Sequence, residues 1–146
     1  MALKTSTGLR GKMLDTGSLK ATMALGFIKF YTGTPPATAD AAVTGTLLVT
    51  ISNASSGTGI NMAAAAVSGV LAKLSSETWS GVNAATGTAT YYRHVAVSDD
   101  GTLSTTQARI QGTIATAGAD LNLSSTSLTS AATQTIDYYT VALPTA

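Results

Sequence analysis

The residues that could do chemistry are few. One histidine, His94, stands beside Arg93, and the seven carboxylates are Asp15, Asp40, Glu77, Asp99, Asp100, Asp120 and Asp137. The chain has no cysteine, which removes disulfides, thiolate metal sites and thiol nucleophiles together. A general base needs a positioned partner, and a lone histidine on a strand is more often a hydrogen-bonded structural residue. Only Asp99 and Asp100 adjoin. In an Asp-Asp-Gly turn their side chains are expected to stay solvated, and the spacing of a calcium loop is missing. Gly57-Thr58-Gly59 lacks the third glycine and the following helix of a dinucleotide loop, and no nucleophile elbow occurs. The expectation is no catalytic residue, no metal and no cofactor.

The cations are unevenly placed. Residues 1–30 hold Lys4, Arg10, Lys12, Lys20 and Lys29 against Asp15, a net of +4, and the other 116 hold three cations against six carboxylates, a net of −3. Five cations in thirty residues are sparse for nucleic-acid binding, and an acidic remainder would oppose it. A basic segment resting on an acidic protein surface fits better, with Lys4, Arg10, Lys12 and Lys20 as the expected contact residues.

These side chains must be carried by some scaffold. At 146 residues the chain fits one domain able to bury a core of its own. Charged residues make up only 10%, well below the usual quarter, and Thr, Ser and Gly replace them. Such a surface repels its own copies weakly, which suits a protein that lives in an assembly. The apolar run Met23 to Phe30 is too short to span a bilayer and is broken by Gly26 and Lys29, so no membrane partner and no leader are expected.

Residues 1–25 read as a basic, partly helical arm. Ser6 or Thr7 can cap a first helix carrying Leu9, Met13 and Leu14. Ser18 can open a second with Leu19, Met23 and Leu25, ended by Gly26 in the left-handed conformation. Residues 26–146 read as a β body, with strands expected at Phe27–Tyr31, Thr46–Ser52, Val67–Leu74, around Trp79, and at Thr88–Ser98, Ala108–Thr116, Leu121–Thr129 and Thr135–Leu143. Asp99-Asp100-Gly101 predicts a hairpin turn. Many short strands with regular turns make an all-β sandwich, or jelly-roll-like module, the expected fold.

One pattern is used twice. Ala85-Thr-Gly-Thr-Ala-Thr-Tyr91-Tyr92 recurs as Ala132-Thr-Gln-Thr-Ile-Asp-Tyr138-Tyr139, each followed by Val-Ala. Paired tyrosines on a strand face opposite sides of the sheet. With large side chains scarce, Tyr91, Tyr92, Tyr138, Tyr139 and Trp79, together with Phe27 and Phe30, are expected to dominate the core and any interface.

The phrase Ser6-Thr-Gly-Leu-Arg-Gly-Lys-Met-Leu-Asp15, the stretch from Phe27 to Leu48, and the later phrases Ala85–Tyr92 and Gly118–Leu123 resemble small virion proteins of tailed bacteriophages. Within that group the resemblance is to capsid decoration, or cement, proteins. It implies a β-sandwich or jelly-roll-like module, made in the bacterial cytoplasm, that binds outside the assembled capsid. It also implies the major capsid protein and further copies of the same chain, as a dimer or trimer, as partners, with no catalytic residues. Two other roles fit the same residues: a fibre- or tail-associated module that grips glycans through exposed aromatics, and a head–tail or tail-tube subunit.

Overall fold

A computed structural model of the chain describes residues 3–143. In chain order the elements are β1 (Lys4–Thr5), α1 (Thr7–Asp15), α2 (Leu19–Met23), β2 (Phe27–Tyr31), β3 (Leu47–Asn53), β4 (Val70–Ala72) and β5 (Trp79–Val82). They continue with β6 (Gly87–Thr88), β7 (Tyr91–Val95), β8 (Arg109–Ala115), β9 (Leu121–Asn122), β10 (Ser127–Leu128), β11 (Thr133–Ile136) and β12 (Thr140–Ala142). The fold is all-β with two short helices. The main sheet runs β1-β8-β7-β2-β3-β5-β11, with β9 added in parallel beside β8, and the small pairs β10-β6 and β12-β4 complete the body. No helix among the described residues is long and apolar enough to cross a membrane.

Alternation along the central strands creates two faces of opposite character. Ile28, Phe30, Val49, Ile51, Tyr92 and Ile110 fall in register on one face and join the apolar core with Leu9, Met23, Trp79 and Tyr139. The strands β2, β3, β7 and β8 each contribute β-branched or aromatic residues to this side, the residue types that favour a sheet.

The opposite face is richer in polar groups and is also covered, with Arg93, Arg109 and Gln111 fully buried and Lys4 and Lys29 half-buried. Lys4, Gln111, Arg93 and Lys29 lie side by side across β1, β8, β7 and β2, with Arg109 and Tyr91 in flanking rows. The connection between β2 and β3 folds over them. Its Pro35 and Pro36 have no N–H for a ladder, so it is held through its carbonyls instead. Gln111 Nε2 donates to Pro36 O at 2.7 Å, Lys4 Nζ to Ala37 O at 2.8 Å and Arg93 Nη2 to Thr38 O at 3.4 Å. Arg109 Nη1 reaches both Ala39 O at 3.3 Å and Asp40 O at 3.2 Å. Five consecutive carbonyls are thus pinned by side chains of the sheet. Tyr91, stacked on Tyr31 at 5.1 Å, bonds both backbone groups of Thr44 through its hydroxyl.

Several expectations are corrected. The strand around Arg93 pairs with β8 as expected of a hairpin, but Val95 opposes Arg109, so the connection spans residues 96–108 and is no tight turn. Asp99 does not stay in solvent: it turns inward and forms a fully buried ion pair with Arg109, while Asp100 remains outside. The positive φ at the end of α2 belongs to Leu25 (57°), and Gly26 instead bridges Ile60, pressed against the Val95 carbonyl where a Cβ would not fit. Of the strand expected over Val67–Leu74 only β4 forms, because Ser68 and Gly69 both take positive φ and turn the chain between Val67 and Val70. Three of the four long strands expected after Trp79 break in two, and only Ala108–Thr116 stays whole, as β8. At Thr90, for example, the chain leaves the β6 pairing, where Ala89 N bonds Thr126 O, and joins β2, where Thr90 N bonds Tyr31 O.

Candidate functional site

The described surface offers one extended apolar groove, built where the two ends of the chain meet. Ser6 starts its construction. Its side chain accepts from Leu9 N at 3.1 Å, capping α1, accepts from Arg109 N at 2.9 Å and donates to Gln107 O at 2.8 Å. The helix therefore begins fastened to β8. Gly8 permits the close seating that follows, since a Cβ there would stand 2.4 Å from the Thr106 carbonyl. Thr7 adds two bonds to the Asp40 carboxylate, which outweigh the effect of burial and hold that group below the usual carboxylate range.

This seating buries Leu9 and leaves the next turns of the helix facing sideways. Met13, Leu14 and Leu19 line the groove together with Leu3 and with Val141 and Leu143 of the C-terminal segment. The hollow has two adjoining parts of about 690 and 390 Å³. Leu14 is 88% exposed and Leu143 64%, an unusual display for a chain poor in large side chains. Arg10 and Lys20 are its cations, and no carboxylate stands among its described lining residues.

The four expected contact cations do not gather. Lys4 is turned to the polar face and holds Ala37 O. Arg10 bonds Thr7 Oγ1 at 3.1 Å beside the groove, and Lys20 donates to Ala64 O at 2.7 Å at its far end. Lys12 is exposed in the last turn of α1, where a cation complements the helix dipole.

The expected aromatics divide as sharply. Trp79, Tyr92 and Tyr139 are buried in one cluster, with Tyr92 and Tyr139 edge to face at 6.0 Å, and Tyr91 is buried on the other side of the sheet. Phe27 is only half-buried. Tyr138 alone of the paired tyrosines is turned out, at 78% exposure. Leu3, Leu14, Val141 and Leu143 were not among the expected site residues. An unpaired leucine on a weakly amphipathic helix was the only signal for Leu14, and nothing in a linear pattern brings positions 3 and 143 together.

The groups capable of proton chemistry are locked into packing. His94 is buried against Trp79 and Tyr139, its Nδ1 3.2 Å from the Tyr139 hydroxyl and its Nε2 without a partner. Burial pushes its pKa down to about 3, so the ring is neutral. Burial also raises the hydroxyl of Tyr139 well above its usual range. Glu77 accepts from Asn61 and from Trp79 Nε1 at 2.9 Å, and these bonds outweigh its desolvation and keep it ionised. No cluster of three or more His, Cys, Asp or Glu side chains suited to a metal occurs among the described residues.

Neither a family model, a curated protein nor a solved structure matches the chain.

Proposed function

We propose that the protein is a capsid decoration, or cement, protein of a tailed bacteriophage, binding the outside of the assembled shell and bridging its subunits. One observation carries this reading. The stretches that resemble such proteins supply one side of the covered polar layer: Ser6–Asp15 contains Thr7 and α1, and Phe27–Leu48 contains β2 and the carbonyls of residues 36–40, which Lys4, Arg93, Arg109 and Gln111 hold from outside those stretches. Ala85–Tyr92 supplies Tyr91, and Gly118–Leu123 supplies Asp120, which bonds Thr113 twice. The resemblance thus falls on the parts that stiffen the body and fasten its basic head.

A stiff, weakly charged module suits the task. A ligand that binds only the closed shell stabilises that state by mass action, and repetition over many sites multiplies the effect. The glycan-gripping alternative draws less support, because Trp79 and four of the five tyrosines are buried, and a lone exposed Tyr138 makes no stacking platform.

The test is made on whole particles. Particles lacking the protein should rupture at lower temperature, and adding back the purified chain should restore them, with copies spread over the shell in an image reconstruction. Equal stability with and without the protein, or copies confined to one vertex, would defeat the reading.

A further inference from the structure

The groove and the one exposed tyrosine have complementary chemistry. The groove is apolar and carries Arg10 and Lys20, with no carboxylate among its described lining residues. Tyr138 is an outward aromatic, the side-chain type that most often anchors an interface, and Asp137 beside it is exposed. Asp137 is also the carboxylate left over. Of the six that follow residue 30, Asp40, Glu77, Asp99, Asp100 and Asp120 each accept hydrogen bonds within the molecule.

Tyr138 lies outside its own groove but close to it. It precedes Val141 by three residues, a span of no more than roughly 11 Å even when fully extended. Asp137 and Tyr138 border a recess of their own with Leu123 and Gln134, within that span of the groove. One copy can thus offer both halves of an isologous two-fold interface, each half meeting the other's complement. The weak net charge of the chain, +1, sets little repulsion against such pairing.

We propose that a second copy of this chain docks on the groove as a two-fold dimer, the Asp137–Tyr138 knob of each copy entering the hollow between α1 and β12 of the other. The tyrosine ring fills the space beside Leu14 and Leu19, and the aspartate faces Arg10, which lines the same part of the hollow as Leu14. This pairing stands independently of the capsid reading, since it is measured on the purified chain without any shell.

Sedimentation velocity over a concentration series tests it. The wild-type chain should sediment at twice its 14.6 kDa mass. Tyr138→Ser and Leu14→Glu should each weaken the dimer by about tenfold or more. Both positions are exposed, so each variant should melt as the wild type does. Asp137→Lys should weaken it too, and adding Arg10→Glu to that variant should restore pairing. A wild type still monomeric at about 1 mM would leave the groove to a different polypeptide and overturn the proposal. So would a mass of three or more chains, a dimer indifferent to both Tyr138→Ser and Leu14→Glu, or a charge reversal that its counterpart fails to rescue.

Discussion

Both faces of the central sheet are covered, and by different means. On one, Ile28, Phe30, Ile51, Tyr92 and Ile110 meet Trp79 and Tyr139 through apolar contact. On the other, Arg93, Arg109 and Gln111 are buried beneath a loop whose backbone carbonyls they grip. Apolar contact is tolerant in direction, and its strength follows the area removed from water. The polar layer is directional, and each missing partner leaves a desolvated group unpaired. Arg93 shows the strain in the second solution: its Nη1 finds no partner, and burial, followed by the nearby Arg109 charge, pulls its pKa down.

Substitutions on the two faces should cost alike and be rescued differently. Trp79→Ala should destabilise the protein by about 3–5 kcal/mol through the cavity it leaves. Asp99→Ala should cost a similar amount, about 3–5 kcal/mol, by leaving Arg109 charged and alone. Denaturant titration would measure both. The double variant Asp99→Leu with Arg109→Met should then recover most of the loss, because a well-packed apolar pair can replace a buried ion pair. If it stays as unstable as the single variant, the carbonyl grip of Arg109 matters more than its charge balance.

Acid should reveal the next difference, and on the apolar face. His94 has its pKa lowered in the folded state from 6.5 to about 3. Between those values the unfolded chain binds the extra proton, so stability falls as pH drops and is flat above pH 7. From pH 7 to pH 5 the loss should be about 2 kcal/mol, and His94→Gln should remove that slope. Asp40 acts lower: its depressed pKa contributes stability above about 3.8 that is lost as pH falls further and the Thr7 anchor is released. A thermal melt series in pH, with and without His94, separates the two.

Smaller effects probe how the head is fastened. Ser6→Ala should cost about 1–2 kcal/mol, since it removes a helix cap together with the tie to Arg109 N, and amide exchange in α1 should quicken. Ala37→Gln should change stability by less than about 0.5 kcal/mol, because Lys4 holds the carbonyl of that residue and the side chain is exposed.

The apolar face was legible in the sequence and the polar one was not. Phe27–Tyr31 alternates in a way that only a half-buried strand satisfies, and β2 has those limits. The Ser6 and Ser18 caps carry their own signal and are used as read. Asp99 and Arg109, by contrast, are ten residues apart in a segment whose Asp-Gly step imitates a tight turn. The residues between are wrapped over the sheet by contacts that no local pattern announces. The groove was illegible for the same reason, since its lining comes from opposite ends of the chain.

The grip on residues 36–40 has a consequence for how the protein can change over generations. Its sheet recognises the loop by peptide oxygens, which every amino acid supplies. Ala37 and Thr38 are exposed and their side chains take no part in those five contacts, the Thr38 hydroxyl serving only as acceptor for Ala41 N at 3.3 Å. They form a stretch whose chemistry can drift while the scaffold beneath stays constant, so one framework can present a succession of outer faces without relearning how to fold.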